Sequence, residues 1–171
     1  YWRVDVVKTD GTVVKGNVWS FSSPKSEWIT GRNEAEKLYP TAIAFLETNY
    51  SAAGRKDIAG DQGPGSVLGV WAGPEGRYAV ETTVLAQTLG PNIYGFSVND
   101  VLIDKWMSST ESDVRETRKT RNTVYLKPGD DIRFDFISGL VNGRTYQSRA
   151  RLDYVIFTAT ESETVEVQRP S

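Results

Sequence analysis

GRYAVETTVLA, at residues 76–86, decides the fold. It sets Tyr78, Val80, Thr82 and Val84 on one side of an extended chain and Arg77, Ala79 and Glu81 on the other. A period of two in apolarity is the signature of a half-buried strand, because successive side chains leave a strand on opposite faces. The same rhythm recurs in YGFSVND at 94–100, where Tyr94, Phe96 and Val98 share a face. In VYLKPGDDIRFDF, at 124–136, Ile132, Phe134 and Phe136 alternate with Arg133 and Asp135, and Pro128-Gly129-Asp130 supplies a tight turn. ARLDYVIF, at 150–157, is apolar on both faces from Leu152 to Phe157, as a central strand requires. Short alternating runs punctuated by turn residues predict an all-β protein, an antiparallel β-sandwich.

Composition narrows the function. The 171 residues carry no histidine and no cysteine. That removes the usual general base, thiolate nucleophiles, disulfides and cysteine-based metal sites. A formal net charge of −2 excludes a generally basic nucleic-acid binder. No run approaches the roughly 18 apolar residues of a membrane helix, and 39% hydrophobic with 25% charged residues describe an ordinary globule. The chain starts at Tyr1 with no charged-then-apolar leader, so the expectation is a processed or excised chain whose export is not written at its start. An aromatic-rich, loop-rich chain without a catalytic motif is expected to hold something rather than transform it.

Three segments follow from the pattern. In residues 1–23, Trp2, Val4 and Val6 alternate with Arg3 and Asp5, Thr9-Asp10-Gly11 turns the chain, and Val13, Val18, Trp19 and Phe21 return it, with Trp2 and Trp19 as the hairpin core. This hairpin resembles the last two strands of a fibronectin type III or Ig-like domain, which implies that the rest of such a domain precedes Tyr1; otherwise the hairpin belongs to the sandwich that follows. Ser23-Pro24-Lys25-Ser26 reads as a linker, with Trp28 at its interface. The main unit runs over 27–161, and 162–171 form a polar tail. Within residues 33–50, Pro40 interrupts a helical pattern, so strand–turn–strand is preferred over helix. The glycine-rich stretch at 54–76 reads as surface loops around one short strand at 66–71.

Taken in order, these motifs resemble β-jelly-roll carbohydrate-binding modules of families 6 and 35. The carrying residues are Glu34-Ala35-Glu36, then Asn49-Tyr50-Ser51 through Gly54, Gly65-Ser66-Val67, the 76–80 strand, Val98-Asn99-Asp100, Leu126 to Ile132, and Leu152-Asp153-Tyr154-Val155. The sequence departs from the family pattern in Asp100 and Ala53, where glycine is common, and in a long charged segment at 105–123. The resemblance implies a structural calcium held by Glu34, Glu36 and Asp153; oxygen donors suit calcium, and the alternative is ordinary surface acids or a first helical turn. It also implies polysaccharide as the partner. Trp106 is the foremost sugar platform, its alternative a core anchor; Tyr50, Tyr94 and Tyr146 are further aromatic candidates, Trp71 a weaker one, and Asn142 is the late-loop polar contact.

Charge suggests the kind of glycan. Arg115, Arg118, Lys119 and Arg121 cluster, as do Arg144, Arg149 and Arg151, and guanidinium forks suit carboxylate or sulfate. An anionic polysaccharide is one expectation; a solvated face paired with Glu111, Asp113, Asp130 and Asp131 is the other. The reading as a whole is a non-catalytic, monomeric carbohydrate-binding module in a secreted or cell-surface multidomain protein. A spacer or adhesin domain is the alternative, and behind it a glycosidase or lyase built on Asp130/Asp131, Glu161/Glu163 or Tyr146 with Arg144.

Overall fold

The computed structural model describes residues 3–18, 26–38, 40–48, 52–53, 56–87, 91–111, 114–138, 140–141, 144–145 and 149–160. Its strands in chain order are β1 Val6–Val7, β2 Val13–Val14, β3 Ser26–Trp28, β4 Gly31–Glu34, β5 Pro40–Thr48, β6 Lys56–Trp71, β7 Gly76–Leu85 and β8 Ile93–Val98. They continue as β9 Val101–Met107, β10 Arg115–Lys119, β11 Val124–Leu126, β12 Asp131–Ile137, β13 Leu140–Val141, β14 Arg144–Thr145 and β15 Arg149–Ala159.

Two layers share β6. Its first half pairs with β15, and beyond β15 lie β7 and then β10. Its second half pairs with β12, followed by β8 and the terminal strand β9. Side chains of period two face inward from both layers. Phe157 of the first layer lies 5.0 Å from Trp71, 5.9 Å from Trp28 and 6.3 Å from Phe96. Phe134 closes the cluster, 4.8 Å from Phe96 and 5.1 Å from Trp28. Trp28 and Trp71 are thus core residues rather than interface or ligand residues. The architecture is the antiparallel jelly-roll sandwich that the alternation predicts.

The glycine-rich stretch is strand, not loop. A Cβ on Gly65 would lie 2.4 Å from the Phe136 ring, and one on Gly69 would lie 2.3 Å from the Ser26 carbonyl and 2.6 Å from Trp28 Nε1. Glycine is used there for close approach rather than for turning. Residues 31–48 resolve into β4, a single 3₁₀ turn at Ala35–Lys37, and β5, with Pro40 in the first strand position, where its missing N–H is tolerated. The charged segment after β9 contains β10, whose inward residues tie the open side of the sandwich. Arg118 Nε lies 3.4 Å from Asp104 Oδ2 of β9, and the Glu116 carboxylate accepts the Ser109 N–H at 2.9 Å.

Local chemistry explains the tight turns. Asn99 and Asp100 both have positive φ, 48° and 63°, which makes the β8–β9 connection a type I′ turn matched to strand twist. Asn99 is pinned to the neighbouring turn: its Nδ2 donates to Asp130 Oδ1, and its Oδ1 accepts the Asp131 N–H. Gly129, at φ 91°, completes a type II turn after Pro128. At the N-terminus β1 and β2 pair only with each other among the described residues, and Val4, Val6, Val7, Val13, Val14 and Val18 are all exposed. Trp2, Trp19, Phe21, residues 23–25 of the linker and the tail lie outside the described residues.

Candidate functional site

The outward face of the β6–β12–β8–β9 layer is built in rows set by strand register. Met107, Ile93, Ile137 and Pro64 are cross-strand neighbours and form an apolar row. Met107 and Ile137 are 66% and 43% exposed, so the row faces water. The next row is Lys105, Gly95, Asp135 and Ser66. Gly95 has no side chain, so the sheet is dimpled between an ammonium and a carboxylate. Leu102 bounds the far side. Together Pro64, Ile93, Gly95, Leu102, Lys105, Asp135 and Ile137 line an open groove of ≈ 340 Å³, near the lower end of ligand-site volumes. Asp135 is oriented by Arg133 Nε at 2.9 Å. An apolar floor with a donor on one side and an acceptor on the other can take the C–H face of a pyranose and its flanking hydroxyls. Nothing in the alternation marked Gly95 as a site residue; its position between a lysine and an aspartate appears only once the strands are paired.

Trp106 sits on the other side of β9, half-buried and packed against the core. Its ring stacks on Tyr94, its cross-strand partner, at 5.6 Å and 18°. It lies between the two ties that close the seam, Asp104–Arg118 and Ser109–Glu116. Trp106 thus packs one side against the core and leaves the remainder partly exposed. Tyr94 is only 2% exposed, and its hydroxyl donates to the Arg151 carbonyl and accepts the Arg151 N–H. It presents no sugar-facing ring; it supports Trp106. Burial pushes its hydroxyl far above the usual phenol value.

The remaining sequence candidates are less visible. Tyr50, Asn142 and Tyr146 lie outside the described residues, and Arg144 is described only as backbone of β14. Four of the cluster cations are spent internally: Arg115 on Asp153 at 3.3 Å, Arg118 on Asp104 at 3.4 Å, Lys119 on Glu81 at 3.4 Å and Arg151 on Asp57 at 3.9 Å. These four partners are all strand residues, from β15, β9, β7 and β6. Asp130 is a turn acid, accepting the Lys127 N–H and the Asn99 amide.

The acidic trio is only partly assembled. β4 ends at Glu34 and Glu36 falls in the 3₁₀ turn, so the two do not share a strand face. Glu34 is held by Arg32 at 2.7 Å. Asp153 is fully buried, its Oδ1 accepting the Ala53 N–H at 2.9 Å. Burial raises its pKa, while the Ala53 N–H and Arg115 oppose that shift. Among the described residues no three His, Cys, Asp or Glu side chains converge as a metal site. Yet Glu36 Oε2 and Asp153 Oδ2 are buried without a hydrogen-bond partner, and both are oxygens of the hard kind that calcium takes.

No family model matches the chain, and no curated protein sequence matches it. Solved structures do. A glycoside hydrolase family 43 arabinoxylan arabinofuranohydrolase from Bacillus subtilis matches with a TM-score of 0.60 at 18% identity, covering 91% of this chain and 33% of that one. A family 35 carbohydrate-binding module from Clostridium thermocellum matches at 0.58 and 15% identity, covering 75% of this chain and 97% of the module. A family 6 carbohydrate-binding module matches at 0.58 and 16% identity, covering 81% of this chain and 100% of the module. The chain thus spans nearly the whole of the modules and about a third of the glycoside hydrolases it matches. What is shared is the fold, a β-jelly roll of the carbohydrate-binding-module kind.

Proposed function

We propose that this chain is a non-catalytic carbohydrate-binding module that tethers an attached extracellular domain to a polysaccharide and raises its effective concentration there. The observation that carries the reading is the groove around Gly95, with its apolar row, its glycine floor and its opposed Lys105 and Asp135. The likeness to family 6 and family 35 modules supports it, and so does the likeness to a larger hydrolase whose structure holds cellotetraose. Trp106 offers a partly exposed aromatic edge on the opposite side of β9, outside this groove. Because four of the seven clustered cations are ion-paired within the fold and the groove carries one charge of each sign, the reading favours a neutral glycan over an anionic one. Calcium belongs to the same reading as a structural ion, with Glu36 and Asp153 as its side-chain donors and Glu34 left to Arg32. Bound there, the ion would supply charge compensation for the buried Asp153 and the half-buried Glu36.

The test is affinity electrophoresis through gels containing neutral or anionic polysaccharides, at low and high salt. Retardation by a neutral glycan that persists in high salt is expected. Retardation only by an anionic glycan and only at low salt would move the site to the arginine clusters. Migration unchanged by every glycan would overturn the carbohydrate reading in favour of a spacer or adhesin domain.

A further inference from the structure

Far from the groove, on the outer face of the other layer, a second constellation is left unused. Tyr125 of β11 is 52% exposed and lies opposite Arg77 of β7. Its hydroxyl donates to the Glu75 carboxylate in the β6–β7 connection. That bond joins two exposed groups, a kind of interaction that contributes little to folding, yet it fixes the ring in place. The hydrogen bond to Glu75 is the main cause that raises the phenol pKa above its usual value. Arg77 has no ion-pair partner among the described residues. Its carbonyl anchors the end of β15 by accepting both the N–H and the hydroxyl of Thr160. Glu75 and Arg77 also line, with Thr30, Pro74, Gly76 and Thr160, a depression of ≈ 350 Å³.

We infer that Tyr125, Glu75 and Arg77 form a second contact point for a neutral glycan, an inference that rests on the carbohydrate reading above. The exposed ring is the platform for a pyranose C–H face. Glu75 supplies an acceptor and Arg77 a donor fork, the pair needed to grip adjacent hydroxyls, and their charges cancel. A neutral polysaccharide bound at both the Gly95 groove and the Tyr125 ring gains from effective concentration, although each contact alone is weak. Clustered arginines do not enter this site, so its binding is insensitive to salt.

Amide shift mapping by NMR with three neutral hexasaccharides, gluco-, xylo- and galacto-configured, separates the outcomes. Two sets of moving resonances are expected, one around Gly95 and one around Tyr125 and Arg77. Tyr125→Ala should erase only the second set and weaken binding to the matching polysaccharide by at least about tenfold. Glu75→Ala should do the same, with the ring still present but no longer held by the carboxylate. Movement around Gly95 with none at Tyr125 or Arg77 would overturn the second contact and leave the first. Movement at neither place would overturn the carbohydrate reading itself.

Discussion

Gly95→Val separates the groove from the fold. A Cβ at Gly95 would stand 3.7 Å from Leu102 Cδ1 and 3.8 Å from Asp135 Cβ, both ordinary contact distances, and its φ is not in the left-handed region. The strand should accept the substitution, and replacing a strand-interior glycine typically adds roughly 0.5–1 kcal/mol of stability relative to the glycine. The two new methyl groups have only the groove to enter. Its ≈ 340 Å³ is about the size of a small ligand site, so a sugar seated on the glycine must move or compress. Forcing extra methyls into a fitted contact costs about 1–3 kcal/mol, which converts to roughly 5- to 150-fold weaker binding. Isothermal titration with the glycan that retards the wild-type chain measures this, and thermal unfolding of the same sample serves as the control. An unchanged or raised Tm with binding weakened fivefold or more is the expected pair of results. Affinity within twofold of wild type, with the fold intact, would refute the groove as the binding surface.

Other substitutions test the architecture and the buried charges. Gly69→Ala should lower stability by about 1–3 kcal/mol, read as a Tm drop of roughly 2–12 °C, because the new Cβ meets the Ser26 carbonyl at 2.3 Å; Gly76→Ala, with its nearest neighbour at 3.8 Å, is the matched control. Asp100→Gly should raise Tm by about 2–4 °C in a thermal melt, since glycine relieves the positive φ and the Arg133 pair it loses is surface-exposed. The Tyr94 hydroxyl pKa is raised above its unfolded value of 10.0, so its contribution to stability is complete below pH 10 and declines as the pH climbs higher. Urea unfolding between pH 8 and pH 11.5 should show that decline, and Tyr94→Phe should flatten it at a cost of about 1 kcal/mol near neutrality. Asp153→Asn keeps an oxygen for the Ala53 N–H and removes a buried charge. If a divalent cation sits between Glu36 and Asp153, chelator should lower the wild-type Tm and calcium should no longer protect the Asn variant; equal melting of both proteins with and without chelator would argue that Arg115 alone compensates Asp153.

Much of the fold was legible in side-chain alternation. Tyr78, Val80 and Val84, then Tyr94, Phe96 and Val98, then Ile132, Phe134 and Phe136 alternate because one sheet face is buried, and all nine are core residues. The misread segments share a physical cause. Glycines at 65 and 69 look like turn formers but serve close packing against Phe136, Ser26 and Trp28, a distinction that exists only between strands. β10 looks like a charged loop because an edge strand carries charge along its length, and its partners Asp153, Asp104 and Glu81 come from three other strands. Tyr94 looked like a ligand aromatic because sequence reports an aromatic ring without reporting its exposure.

What the sequence by itself determined was chemistry and class: an all-β sandwich, no histidine or cysteine, and a tight turn written as Pro128-Gly129-Asp130. These are local properties, set by side-chain type and by the period of a strand. The tertiary structure decided which groups face water together. Lys105 and Gly95 face each other across the β8–β9 hairpin, Asp135 comes from the separate strand β12, and the three form one row only through register. Tyr125, Arg77 and Glu75 meet for the same reason. A binding surface is a set of exposed neighbours, and both exposure and neighbourhood are properties of the packed sheet rather than of the string of residues.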